Sequence, residues 1–364
     1  MHAARGRDKK ETSARCMEDG EGNEKRMNKV IGYVGTKHLA QMREEDIRSL
    51  DVVNIAFGHI VDGRTVWEHQ DVKPVLARIR SINPQLKLVL SVGGWSADGF
   101  SQAASTEESR RLAADTAKEI IAEYGLDGID IDWEYPGTSV AGIASSADDK
   151  VNFTLFLAAL REAMDSLGKG KIVTIAAGGD SYFTRLTEMD KAAEYLDYVQ
   201  LMTYDLQGGF QKVTGHHAAL YAGGRNLFDA CADKAVRAFM EAGVPAEKLV
   251  IGIPFYARKW EGVPNVREGL GVEAQTVGGF GASYGELLEE YVGKNGFVRY
   301  WDDEAKAPWL FDGKTFISYE DTESMAEKIA YVKEKGLCGV MYWEYGCDAT
   351  YTLTEFLRRE MDRA

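Results

Sequence analysis

The sequence predicts the α/β class, and within it a closed (β/α)8 TIM barrel with a small α+β insertion between strand 7 and helix 7. Three observations predict this. Eight short β-branched runs alternate with longer amphipathic patterns from Lys29 onward, which suits a parallel barrel better than an open sheet. The interval from Arg258 to roughly Phe316 breaks that rhythm with short strand-like runs and Gly-rich turns. The 364-residue length covers one barrel plus an insertion.

In chain order, residues 1–28 mix both charge signs and contain no Leu, Ile, Val, Phe, Trp or Tyr. That segment has too little apolar area to offset its ordering entropy and is expected to be a disordered tail. The barrel is expected over 29–361. Its strands are expected at Val30–Val34, Val52–Phe57, Leu88–Val92, Gly128–Trp133, Ile172–Ala177, Tyr198–Thr203, Leu249–Phe255 and Val340–Trp343. The clearest helical patterns are Glu107–Tyr124, Val151–Leu167, Leu227–Ala242 and Thr322–Lys335. Ser105 and Thr106, followed by two glutamates, form a helix start. The insertion is expected over 259–316, with short runs at Phe297–Trp301 and Trp309–Phe311.

Composition narrows the function classes. A 45% apolar fraction supports a real core. The formal charge of −14 disfavours nucleic acid and anionic membranes as partners. Cys16, Cys231, Cys338 and Cys347 show no CxxC spacing, so free thiols are expected in place of zinc or redox motifs. No run approaches the ~18 apolar residues of a membrane helix, and the N-terminus as written has no secretory apolar core. The expectation is a cytoplasmic monomer, secreted if the true N-terminus differs.

The densest chemical signal is Leu126–Gly137, LDGIDIDWEYPG. Residues two apart on a strand share a face. Asp130, Asp132 and Glu134 therefore form an acidic row toward the barrel axis, with Ile129, Ile131 and Trp133 on the other face. Glu134 reaches the C-terminal mouth, where this fold places its chemistry. Three carboxylates about 7 Å apart cannot all ionise in a desolvated pocket, which suits Glu134 to a general acid. The alternative is a divalent-metal site. Aromatics at other strand ends (Tyr33, Trp95, Tyr204, Tyr256 and Trp343) suggest sugar rings stacking at that mouth.

With these residues in hand, the sequence resembles the family 18 glycoside hydrolases, the chitinase family, from Lys29 to its C-terminus. DGIDIDWE matches the DxxDxDxE signature, Ser91–Gly94 (SVGG) the SxGG element, and Met202–Asp205 (MTYD) the MxYD element. The resemblance implies cleavage of β-1,4-linked N-acetylglucosamine chains, endo-type and with retention, assisted by the substrate's own acetamido group and without cofactor or metal. It implies that Glu134 protonates the glycosidic oxygen and that Asp132 accepts the acetamido N–H. Asp130 holds Asp132 and tunes its ionisation, while Tyr204 orients the acetamido carbonyl. For sugar binding it implies Met202, Asp205, Tyr256, Trp343 as floor with Tyr33 nearby, Trp95 and Phe210 on the leaving-group side, and Arg258 on hydroxyls. Family members often carry Trp where Phe210 stands.

Other features read as structure. Asp127 is out of phase with the row and suits strand-start support. His216–His217 lacks helical ligand spacing and suits structural hydrogen bonding. Glu344 points away from Trp343 as a structural pair. Tyr300, Trp301 and Trp309 either wall a cleft or pack the insertion. Three alternatives to chitin cleavage remain from sequence: action on peptidoglycan, action on an N-glycan core, and a non-hydrolytic, lectin-like chitin-binding protein.

Overall fold

The structure, a computed structural model, describes residues 28–67, 69, 72–223 and 229–363. The expected tail, Asn28 apart, lies outside the described residues. Asn28 itself is tied down: its Nδ2 donates to the Leu337 carbonyl at 2.7 Å.

Eight strands close a parallel barrel: β1 (Lys29–Gly35), β2 (Val52–Val61), β3 (Lys87–Gly93), β4 (Gly128–Asp132), β5 (Ile172–Gly178), β6 (Tyr198–Met202), β7 (Leu249–Pro254) and β8 (Gly339–Trp343). Each pairs in parallel with the next, and β8 returns to β1. The expected architecture is therefore present. Alternation sorts side chains as a barrel requires. Ile31, Tyr33, Val52, Val89, Tyr198, Val250 and Met341 pack inside the barrel, while Val30, Val34, Val53, Ile55, Leu88 and Leu90 face the helices.

On β4 the split decides function. Ile129, Ile131 and Trp133 belong to the layer between strand and helix. Trp133 is stacked on Phe100 at 5.4 Å and lies edge-to-face with Phe153 at 6.0 Å. Truncating a buried aromatic of this kind costs about 3–5 kcal/mol. Trp133 thus clamps the backbone immediately before Glu134.

Helix boundaries follow local chemistry. Glu107–Glu123 starts at Thr106, whose hydroxyl accepts from the Ser109 N–H in a capping box. Ser105 instead ends the preceding short helix, Phe100–Ser105. The pattern starting at Leu227 becomes a helix only at Ala232–Glu241; 224–228 lie outside the described residues. Thr322–Lys335 matches its expected span, capped by Asp321 and closed by Gly336 at φ 63°. No described helix is long and apolar enough to cross a membrane.

The insertion grows straight from the barrel mouth. Tyr256–Glu261, two residues beyond β7, is the second strand of a five-stranded antiparallel sheet. The order is Gly279–Ser283, Tyr256–Glu261, Thr315–Ser318, Ala307–Phe311 and Val298–Asp302. Trp260, Leu270, Trp309, Phe311 and Phe316 form its own core. Tyr300 stacks on Trp309 at 5.2 Å, and the Trp309 indole N–H donates to the Glu268 carbonyl. These two aromatics pack the insertion. Trp301 donates its indole N–H to Asp303 under the Arg299 guanidinium.

Candidate active site

The acidic row rises along the barrel axis from β4. Asp130, at the bottom, is fully buried and saturated. Its Oδ2 accepts from the Tyr33 hydroxyl at 2.8 Å and Ser91 Oγ at 2.7 Å. Its Oδ1 accepts from Thr174 Oγ1 at 2.7 Å and Gln200 Nε2 at 2.9 Å. Gln200 in turn accepts from Asn54 Nδ2 at 2.8 Å. Donors from β1, β3, β5 and β6 thus converge on one carboxylate. Burial still pushes Asp130 above the usual carboxylate range, against all four hydrogen bonds.

Asp132 lies one step higher, and its surroundings differ. It is buried, and its Oδ1 has no hydrogen-bond partner among the described residues. Burial first, then the charges of Glu134 and Asp130, raise it well above its ordinary value. Of the expected influence of Asp130 on Asp132, the structure shows the tuning of its ionisation and no direct hydrogen bond. Both Asp130 oxygens are taken by other donors, so the influence between the two is electrostatic. The SVGG element supports Asp132 through the backbone instead. Gly94 N–H donates to the Asp132 carbonyl at 3.0 Å. A Cβ on Gly93, at φ 128°, would sit 2.0 Å from that same oxygen. Only glycine permits this approach.

Glu134 follows the strand end and is 9% exposed. Burial and the Asp205 charge, opposed by a hydrogen bond from Tyr135, push it up to about 7. A carboxyl that keeps its proton near neutrality can donate it, as a general acid must.

Around this row stand the β6, β7 and β8 ends. Met202 is buried at the close of β6. Tyr204 is half-buried, edge-to-face with Tyr256 at 6.2 Å, its hydroxyl 4.0 Å from the Met341 sulfur. Arg258 grips Asp205 with two parallel bonds, Nε to Oδ1 at 2.6 Å and Nη2 to Oδ2 at 2.5 Å. Burial would raise Asp205, but His217 and Arg258 outweigh it and hold the carboxyl well below its usual range.

Trp343 ends β8 between Tyr33 at 5.6 Å and Phe57, stacked at 5.4 Å. Trp95 and Phe210 are 51% and 70% exposed with rings 6.2 Å apart, forming an open aromatic platform. Beside Trp95 runs a shallow groove of about 620 Å³ bordered by Phe57, His59, Asp62 and Asp98.

Asp127, Glu344 and His216 are placed as structural residues, whereas the His217 ring, expected to make structural hydrogen bonds, has none among the described residues. Asp127 accepts from the Leu88 N–H at 2.8 Å and from Arg80. Glu344 faces His38 at 3.8 Å. His216 bonds Asp302 at 3.1 Å. No cluster of three or more His, Cys, Asp or Glu among the described residues could hold a metal ion, and the saturated oxygens of Asp130 argue against the metal reading of the row.

Sequence reasoning missed Phe57, Phe280, Asn54, Thr174 and Gln200. Phe280 is 61% exposed and lies parallel on Tyr256 at 5.8 Å. The polar three had a readable signal: each is a lone polar residue in the middle of an apolar strand, where an unpaired polar group is costly.

Comparison with known proteins places most of the chain beside relatives that are chitinases by name. The chain is 38% identical over 313 residues to chitinase A1 of Niallia circulans, covering 79% of this chain and 44% of that protein. It therefore spans less than half the length of that relative. Among solved structures, a family 18 N-acetylglucosaminidase of Paenibacillus barengoltzii is 51% identical with a TM-score of 0.90, covering 92% of this chain and 99% of that one. A multi-modular cell-surface chitinase of Paenibacillus sp. FPU-7 is 38% identical with a TM-score of 0.86, covering 93% and 43%. The model of glycosyl hydrolases family 18 matches residues 29–348, which span the barrel, the acidic row and the insertion, and the chain belongs to that family.

Proposed function

We propose that this chain hydrolyses β-1,4-linked N-acetylglucosamine polymers or oligomers, chitin and chitooligosaccharides, with retention of configuration. The observation that carries the reading is the pair at the top of β4. A carboxyl able to hold its proton near neutrality stands beside a buried carboxylate oxygen with no partner. The first serves a leaving oxygen, and the second is free for an N–H that arrives with the substrate.

Family 18 departs from the usual scheme of a protein nucleophile and a separate acid. Glu134 gives its proton to the glycosidic oxygen as the C1–O bond breaks. The acetamido oxygen of the sugar on the non-reducing side attacks C1, and its N–H bonds to Asp132, whose charge stabilises the resulting oxazolinium ion. The Tyr204 hydroxyl orients the acetamido carbonyl. Water, deprotonated by the Glu134 carboxylate, then opens the ring at C1 and gives the β-anomer. Trp343 with Tyr33 and Phe57 supplies an apolar floor, and Trp95 with Phe210 a platform for the departing sugar. The endochitinase names among the relatives favour internal cleavage. The N-acetylglucosaminidase at 51% identity favours a second reading, release of single sugars.

Product analysis on matched oligomers tests the proposal. Acetylated chitotetraose should be cut with the β-anomer appearing first, and its deacetylated counterpart should not be cut. Comparable cleavage of both would sink substrate assistance. Disaccharide against monosaccharide product separates the two modes of attack.

A further inference from the structure

The loop after β6 carries one buried group that the reaction does not use. The His217 side chain is fully buried, and neither ring nitrogen has a hydrogen-bond partner among the described residues. Leaving buried polar atoms unpaired is costly, so the placement calls for a reason. Its Nδ1 lies 3.5 Å from Asp205 Oδ1, beyond a normal hydrogen bond but within reach of one after a small rotation.

Its position is fixed from several sides. The His217 backbone N–H donates to Ser318 Oγ at 2.9 Å, tying it to the last strand of the insertion. The ring stands edge-on to Tyr256 at 5.5 Å. The next residue, Ala218, accepts from the buried Lys328 ammonium at 2.6 Å, and Lys328 also pairs with Glu320. Asp205, in contrast, sits in left-handed backbone at φ 56°, is 38% exposed, and depends on partners to hold its direction. Arg258 is one such partner.

We propose that His217, as a neutral ring with its proton on Nδ1, is a positioning residue that holds the Asp205 carboxylate toward Glu134. This rests on the hydrolytic reading above. The groups facing the ring are Asp205, Arg258, Tyr256 and Lys328. Burial keeps the ring neutral, with Arg258 and Lys328 acting in the same sense and Asp205 against it. A neutral ring with its proton on Nε2 would aim a lone pair at the carboxylate, so Nδ1–H is the tautomer that fits. The groups facing Glu134 are Asp132, Tyr135, Tyr204 and Asp205. Of these, the Asp205 charge helps Glu134 keep its proton. Without the Nδ1 donor, Asp205 is free to turn outward with Arg258, and the acid ionises at lower pH.

The test uses two variants and the unaltered protein. His217→Met removes the donor at similar volume, and His217→Asn places an amide N–H where Nδ1 was. For His217→Met, the alkaline limb of kcat/KM should move down by about half a pH unit or more, with KM below that limb little changed. His217→Asn should return that limb to the wild-type position. In the unaltered protein, long-range ¹⁵N–¹H correlation at pH 7 to 8 should show a neutral Nδ1–H ring. An Nε2–H ring, or a folded His217→Met protein whose limb has not moved, overturns the proposal. If His217→Met does not fold, the tautomer and the His217→Asn limb decide. An unaltered protein inactive on acetylated oligomers would instead count against the hydrolytic reading, with the tautomer measurement still standing.

Discussion

Asp130 and Asp132 are the same residue type on the same strand and point to the same axis, yet they live in opposite chemical settings. Asp130 accepts four hydrogen bonds from four strands, whereas Asp132 keeps a buried oxygen with none. The difference is depth. Low in the barrel, neighbouring strands continue on both sides and supply donors. One step higher the strands still flank β4, but Gly93 on β3 pairs with Asp132 and Ala176 follows two residues after Thr174 on β5, and neither carries a donor side chain. The lower carboxylate is thereby a fixed foundation, and the upper one is left for a partner from solution.

Replacing Glu134 by Gln gives the largest expected effect. The amide keeps the shape but has no proton to give, and turnover of acetylated oligomers should fall about 10²–10⁴-fold. A thiazoline analogue, which mimics the cyclised intermediate, should still bind. In the unaltered enzyme kcat/KM should fall as pH rises through about 7, because only the protonated acid of the free enzyme leads to turnover. A limb near pH 4.5 would remove Glu134 from that role.

Asp132→Asn and the pair Ser91→Ala and Thr174→Val test the comparison directly. Loss of the Asp132 charge should lower kcat by about 10²–10³-fold, the usual scale for a group placed where charge develops. Ser91→Ala or Thr174→Val each removes one donor from Asp130 and should cost about 1–3 kcal/mol of stability, with kcat changed only a few-fold. If the two classes give the same pattern in kcat and denaturant midpoint, foundation and working carboxylate are not distinct.

The same row has a signature in stability against pH. Glu134 has a raised value in the fold, so the native state holds a proton that the unfolded chain has already lost. Stability from this group is full below about pH 4.5 and is lost as pH rises to about 7. Glu134→Gln removes that loss, so it should be more stable than the wild type at pH 8 by about 1–3 kcal/mol. The gap should close near pH 4.5. Chemical denaturation at both pH values measures it, and a less stable Glu134→Gln protein at pH 8 contradicts the buried charge.

How much of this was legible follows the reach of each signal. The period-two pattern of GIDID and its seven companion strands is local, so barrel and acidic row could be read from the chain. The Asp130 lattice is not local. Gln200 on β6, Thr174 on β5 and Asn54 on β2 meet only because the sheet closes, so each stands out in the chain as a lone polar residue in an apolar strand, but its partner does not. Phe57 and Phe280 were missed for a related reason. Their value lies in the rings they stack on, Trp343 and Tyr256, which are far away in sequence. Apolar spacing continues back through Leu227, yet of the described residues 229–231 are not helical and Cys231 is extended at the N-cap, a break the spacing does not signal.

The smallest expected effect lies farthest from the row, on the open platform. Phe210 is 70% exposed and its ring contact is with Trp95, so removing it leaves no buried cavity and no unpaired polar group. Phe210→Ala should therefore leave folding unchanged and forfeit only stacking, about 0.5–1.5 kcal/mol, or roughly two- to tenfold in KM. Phe210→Trp enlarges the stacking face and should lower KM by a similar or smaller factor. On the proposed reading the platform meets the departing sugar and not the reacting carbon, so kcat on short acetylated oligomers should hardly move in either variant. A double-mutant cycle with Trp95→Ala then reads the coupling of the two rings. A coupling near zero makes them independent sugar contacts, while a KM unchanged in Phe210→Ala removes Phe210 from the platform. A fall in kcat as large as that of Asp132→Asn would mean that the mouth cannot be divided into a reacting row and a passive rim.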